Sequence, residues 1–78
     1  MAFAAAVLIL AGCSKVNQEN YQAIEAGMDY REVEVLLGAP TSCQETIALK
    51  QCKWGNEHRY IDIKFVADKV TFFSHRGL

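Results

Sequence analysis

Hydrophobic and polar positions divide the chain into three stretches with different periods. Residues 1–12, Met-Ala-Phe-Ala-Ala-Ala-Val-Leu-Ile-Leu-Ala-Gly, form an apolar run with no charged side chain. From Asn17 to Pro40 the apolar residues recur at helical spacing. Asn17 is placed to cap a first helix with Glu19 in its first turn, Tyr21 and Ile24 give that helix an apolar edge, and Gly27 predicts its end. Asp29 and Glu32 stand at capping-box spacing ahead of a second helix. Val33, Leu36 and Leu37 make the i, i+3, i+4 stripe of that helix, and Gly38 with Pro40 predicts its stop. After Pro40 the period becomes two. Strands are predicted over 41–45, 50–55, 59–66 and 69–74, with Ala67-Asp68 as a tight turn. In the third of them Ile61, Ile63 and Phe65 point one way and Tyr60, Asp62 and Lys64 the other. The predicted fold class is α+β, with two short N-terminal helices packed on a three- or four-stranded antiparallel sheet.

The leading run changes this picture from a soluble domain to an exported one. Twelve residues are too few to span a bilayer, which takes about 20 in a helix. They match the apolar segment of a secretory signal, expected here to be helical and to precede the two helices. The run closes on Leu10-Ala11-Gly12-Cys13, which resembles the lipobox of bacterial lipoproteins. That resemblance implies a diacylglycerol on the Cys13 thiol and cleavage before it. No Lys or Arg precedes the run, as expected if Met1 is not the natural start. The domain plan is therefore a signal peptide at 1–12, a lipidated Cys13 with a tether to residue 17, and one domain at 18–78. In the enterobacterial pattern of the lipoproteins this segment resembles, Ser14 rather than Asp after the lipidated residue implies the outer membrane, periplasmic face, over the inner membrane.

Composition adds a constraint. A single domain of this size buries only about 60% of its unfolded surface, so a staple is expected. Cys43 and Cys52 fall on successive predicted strands. If the hairpin centres between Ile47 and Ala48, the two face each other at disulfide distance, and export supplies oxidising surroundings. Free thiols or a zinc site completed by His58 or His75 are the rival readings, but no close Cys or His pair supports the metal. His58 and His75 otherwise read as solvated. Trp54 reads either as a core residue beside the disulfide or as an exposed anchor for a partner or for lipid headgroups. Net charge is −1, and no run of one sign points to nucleic acid. The signs are nonetheless segregated. From Asn17 to Leu37, Glu19, Glu25, Asp29, Glu32 and Glu34 oppose Arg31, whereas from Lys50 onward Lys50, Lys53, Arg59, Lys64, Lys69 and Arg76 outnumber Glu57, Asp62 and Asp68. A basic sheet side could dock on an anionic surface.

The spaced residues Tyr21, Ile24, Gly27-Met28, Val33, Leu37-Gly38 and Pro40 resemble the helix pair of the SmpA/OmlA (BamE-like) lipoproteins, in the β-lactamase-inhibitor-protein-like fold group. Cys52-Lys53-Trp54-Gly55, residues 61–65, Asp68-Lys69-Val70 and Gly77-Leu78 resemble a smaller lipoprotein branch of that group. The resemblance implies two helices on an antiparallel sheet and, for the BamE members, an accessory role in assembling β-barrels into the outer membrane. A shorter sheet and the Cys43/Cys52 pair depart from the BamE pattern, so no contact residue is carried over. The expected function is that of an envelope lipoprotein with a structural or protein-interaction role, such as an outer-membrane assembly accessory. The alternative is a binding module that inhibits or modulates an envelope enzyme. That requires an exposed aromatic patch on the sheet, for which Trp54 and Tyr60 are the candidates. No catalytic residue, metal or cofactor is expected. The expected partners are the membrane, through Cys13, and an envelope protein.

Overall fold

A computed structural model describes residues 15–78. The elements in chain order are α1 (Gln18–Gln22), α2 (Tyr30–Leu37), β1 (Ser42–Glu45), β2 (Leu49–Gly55), β3 (Tyr60–Val66) and β4 (Lys69–Arg76). The strands form one antiparallel sheet in the order β1-β2-β3-β4. Strict alternation in β3 places Ile61, Ile63 and Phe65 on the inner face, each 0% exposed. Cys52 and Trp54 join them from β2, Val70 from β4 and Val33 and Leu37 from α2. These are the i and i+4 positions of the helix stripe, and their burial, rather than the propensity of eight residues, holds α2 in place. The capping box of Asp29 and Glu32 is present, with Asp29 N–H donating to Glu32 Oε1 at 3.0 Å.

The fold class needs correction. The domain is a small α+β fold, but its helices do not form an N-terminal layer stacked on the sheet. Asn17 caps α1 as expected, its Oδ1 accepting from Asn20 N–H at 2.8 Å. The helix then has only five residues, buries none of them, and closes at Ala23. Gly27 is not its stop. Gly27 N–H instead donates to Val70 O at 2.8 Å, Val70 N–H donates to Met28 O at 2.9 Å, and Tyr30 N–H to Asp68 O at 2.9 Å. Asp29 makes an isolated antiparallel bridge to Lys69. The chain between the helices thus runs in the plane of the sheet, along the first residues of β4. An exposed strand edge offers backbone groups that need partners, and this segment meets that need better extended than helical. Ile24 still reaches the core, from the turn rather than from a helix. The helical signal peptide expected before these elements, with Cys13, lies outside the described residues.

The packed domain also begins before the expected boundary at residue 18. Val16 is in the core cluster. Its carbonyl accepts from Arg59 Nε at 3.2 Å, and the Lys15 carbonyl accepts from Asn20 Nδ2 at 2.8 Å.

Two connections set the sheet's geometry. At Ala67-Asp68 both residues have positive φ, 53° and 64°, which gives the two-residue turn the twist a hairpin prefers. Between β2 and β3, Asn56 Oδ1 accepts from the backbone N–H groups of His58 and Arg59 at 2.8 and 3.0 Å. That turn folds back on Gly55, whose φ is +115° and where a Cβ would lie 2.2 Å from Arg59 O. Gly55→Ala must therefore displace backbone as well as accept a strained conformation. A loss of about 2–4 kcal/mol is expected. A urea midpoint unchanged from the parent protein would contradict this close approach.

Candidate functional site

Val33 and Leu37 of α2, with Ile24 and Val16, pack on the inner side of the sheet, and no other described element covers the outer side. Strand register places its side chains in rows. Lys53 pairs with Asp62, and Asp62 with Ser74; Gln51 pairs with Lys64, and Lys64 with Phe72; Tyr60 pairs with Arg76. Ser42 and Gln44 extend the first two rows onto β1, opposite Lys53 and Gln51.

One irregularity shapes this face. Phe65 pairs with Val70 but Lys64 pairs with Phe72, so Thr71 is an extra residue in β4. Its hydroxyl donates back to Lys64 O at 3.1 Å. Plain alternation from the buried Val70 would send Phe72 inward and Phe73 outward. The bulge reverses both, a re-aiming characteristic of such insertions. Phe73 packs against the core and stacks edge-on with Tyr21, ring centroids 5.7 Å apart. Phe72 is left 59% exposed on the outer face.

The charges on this face are mostly basic. Lys53 Nζ lies 4.5 Å from the Tyr60 ring centroid and Lys64 Nζ 5.7 Å from that of Phe72, both within cation–π range. The single acid among these rows, Asp62, accepts from Gln51 Nε2 at 3.2 Å. No ion pair among the described residues involves Lys53, Lys64 or Arg76. Lys69, at the margin, is paired with Asp29 at 3.1 Å. A shallow polar groove of about 190 Å³ runs between Ser42, Gln44, Gln51, Lys53 and Asp62 over the backbone of the two cysteines. The arrangement can hold an anionic group beside an aromatic ring; it brings together no nucleophile with a base.

The residues singled out in the sequence are distributed as follows. Cys43 and Cys52 are joined as a disulfide with a Cα–Cα distance of 4.1 Å, in the register expected for a hairpin centred between Ile47 and Ala48. His58 lies exposed in the β2–β3 turn. His75 lies exposed on β4, 4.4 Å from the Tyr21 ring. Neither is grouped with the cysteines, and among the described residues no cluster of three His, Cys, Asp or Glu is placed to hold a metal ion. Tyr60 is on the open face. Trp54 is not, and its place as a candidate interaction residue is corrected: it is 1% exposed and its indole N–H donates to Gly38 O at 2.8 Å. It shares strand parity with Cys52, so both point inward, and the carbonyl at the end of α2 gains a donor. Phe72 takes its place on the surface.

At the other end of the core, Lys50 closes the inner face. Its Nζ sits 3.9 Å from the Tyr30 ring centroid, 3.6 Å from Asp68 and 3.9 Å from Glu45. Burial, with added repulsion from Glu34, raises the Tyr30 hydroxyl above the ordinary tyrosine value. Tyr30 therefore stays neutral at ordinary pH, and its contribution to stability is lost only as alkaline pH rises through that raised value. Lys50 and Tyr30 seal the core here rather than form a site.

No protein-family model matches the chain, and no curated protein or solved structure matches it.

Proposed function

We propose that the chain is a lipid-anchored protein of the bacterial envelope whose folded domain works by binding another envelope protein. The observation that carries the binding role is the sheet face that no other described element covers, where a bulge turns Phe72 outward beside Lys64 and Tyr60 lies under Lys53. A monomeric domain gains little by holding a large aromatic ring 59% exposed, and aromatic residues and Arg, here Phe72, Tyr60 and Arg76, are enriched at contact surfaces. The anchoring role is supported by Leu10-Ala11-Gly12-Cys13, with Ser14 favouring the outer membrane. The Cys43–Cys52 disulfide is in keeping with an oxidising compartment, since such bonds rarely persist in the cytosol. The resemblance to the SmpA/OmlA lipoproteins supports a role as an accessory in outer-membrane assembly. Tyr60 and Phe72 also meet the requirement of the second reading, a module that modulates an envelope enzyme.

Replacing the anchor residue tests the reading. Cys13→Ser is expected to abolish incorporation of labelled fatty acid in cells and to leave an uncleaved precursor. A Cys13→Ser protein of mature size that still fractionates with membranes excludes lipid anchoring at this residue.

A further inference from the structure

We infer that the outer sheet face binds an extended, acidic polypeptide segment carrying aromatic or other apolar side chains between its carboxylates. This deepens the binding role proposed above and rests on it. Three observations decide the class of partner. The first is charge. Lys53, Lys64 and Arg76 occupy three successive rows of one face and form no ion pair among the described residues, while the only acid between them, Asp62, is engaged by Gln51. Charge complementarity then requires an anionic partner. The second is the ring pair. Each ammonium of Lys53 and Lys64 is held over a ring of the same face, so a carboxylate meeting it leaves the exposed Phe72 edge for an apolar neighbour. A polyanion without such neighbours leaves that ring unused.

The third observation is size and direction. Four strands at about 4.8 Å spacing and seven residues at about 3.3 Å rise give a face of roughly 400 Å², half of what one partner buries in a standard protein interface. That suits a single extended segment better than a globular surface. The face is also turned from the proposed anchor. Val16 packs into the core on the opposite side of the sheet from Phe72. From Cys13 to Val16 the chain reaches at most about 10 Å. The inner side is thus the one held near the bilayer, which favours a polypeptide over lipid headgroups as the occupant.

The test is titration of the full-length oxidised chain, carried in phosphatidylcholine nanodiscs without detergent, with a random copolymer of glutamate and tyrosine, and separately with phosphatidylglycerol vesicles. Calorimetry is expected to show saturable binding of the copolymer that weakens with salt. Lys53→Glu combined with Lys64→Glu should weaken it at least about tenfold, and Phe72→Ser by several-fold. Lys15→Glu combined with Arg31→Glu makes the same change in net charge off the face and should leave affinity within about twofold. A circular dichroism spectrum and melting temperature close to the parent's check that each variant is folded. Equal weakening by the off-face pair overturns the assignment to this face. Affinity for the vesicles without affinity for the copolymer makes the membrane the ligand and overturns it too. Copolymer binding does not use the lipid, so a chain that binds but is not acylated in cells defeats the anchoring proposal alone.

Discussion

Trp54→Ala is expected to leave the domain barely stable, with up to about half of it unfolded at room temperature. Trp54 is 1% exposed, tilts against Phe65 with ring centroids 6.4 Å apart, and satisfies the Gly38 carbonyl at 2.8 Å. Truncating a buried tryptophan costs about 3–5 kcal/mol through lost burial and the cavity left behind. A domain of this size has about 5 kcal/mol to lose. Trp54→Phe separates the two contributions. It keeps much of the packing but removes the indole donor, and a loss of about 1–3 kcal/mol is expected. Circular dichroism against urea distinguishes these cases. If Trp54→Ala melts within a few degrees of the parent, the core is not centred where β2 meets the end of α2.

Removing the Cys43–Cys52 cross-link comes next in size. Closing a loop of roughly ten residues contributes about 2–3 kcal/mol in the chain-entropy picture, a melting shift of about 10 °C or more for so small a domain. The two cysteines are not equivalent. Cys52 is 1% exposed in the core, whereas Cys43 lies on β1, all four of whose residues are exposed. Cys43→Ala should therefore reproduce the effect of reduction. Cys52→Ala should exceed it by about 1 kcal/mol, because it also empties a packed site. Amide exchange should quicken first in β1, which has no buried side chain of its own to hold it against β2. Two alkylatable thiols per chain before reduction, or equal melting points for oxidised and reduced protein, would sink this account.

Much of the sheet was legible because its signals are local. The pairing of Cys43 with Cys52 follows once the turn is centred between Ile47 and Ala48, since register then leaves no freedom. Ile61, Ile63 and Phe65 declare the buried face of β3 by alternation alone. Asp29 and Glu32 mark the start of α2 through a capping box that needs nothing beyond its own turn. The misread parts depend on distant partners. Gly27 suits a helix stop equally well as a turn, and only the free edge of β4 at Val70 makes the choice. The open face suffered most. Adjacent Phe72 and Phe73 must point to opposite sides of any strand, and nothing in Val70-Thr71-Phe72-Phe73 says which is outward. No glycine marks the bulge at Thr71. The match of Ile63 to Phe73 and Lys64 to Phe72 resolves it, and that is a tertiary fact. Trp54 was ambiguous for a different reason: a lone tryptophan is common both in cores and at interfaces, and parity with Cys52 was the available discriminator.

The cross-link also sets a schedule. If the chain is exported as proposed, then in a reducing cytosol it lacks about 2–3 of its roughly 5 kcal/mol and opens at least about tenfold more often than the oxidised protein. On that proposal, passage through a secretion channel is eased by such opening. Oxidation of the Cys43–Cys52 pair on neighbouring strands, in the proposed oxidising compartment, closes the loop and shifts the balance toward the native state. Among the described residues the one disulfide ties the exposed strand β1 to the core through Cys52, so on the proposed export it is the compartment that decides when β1 is fixed in place.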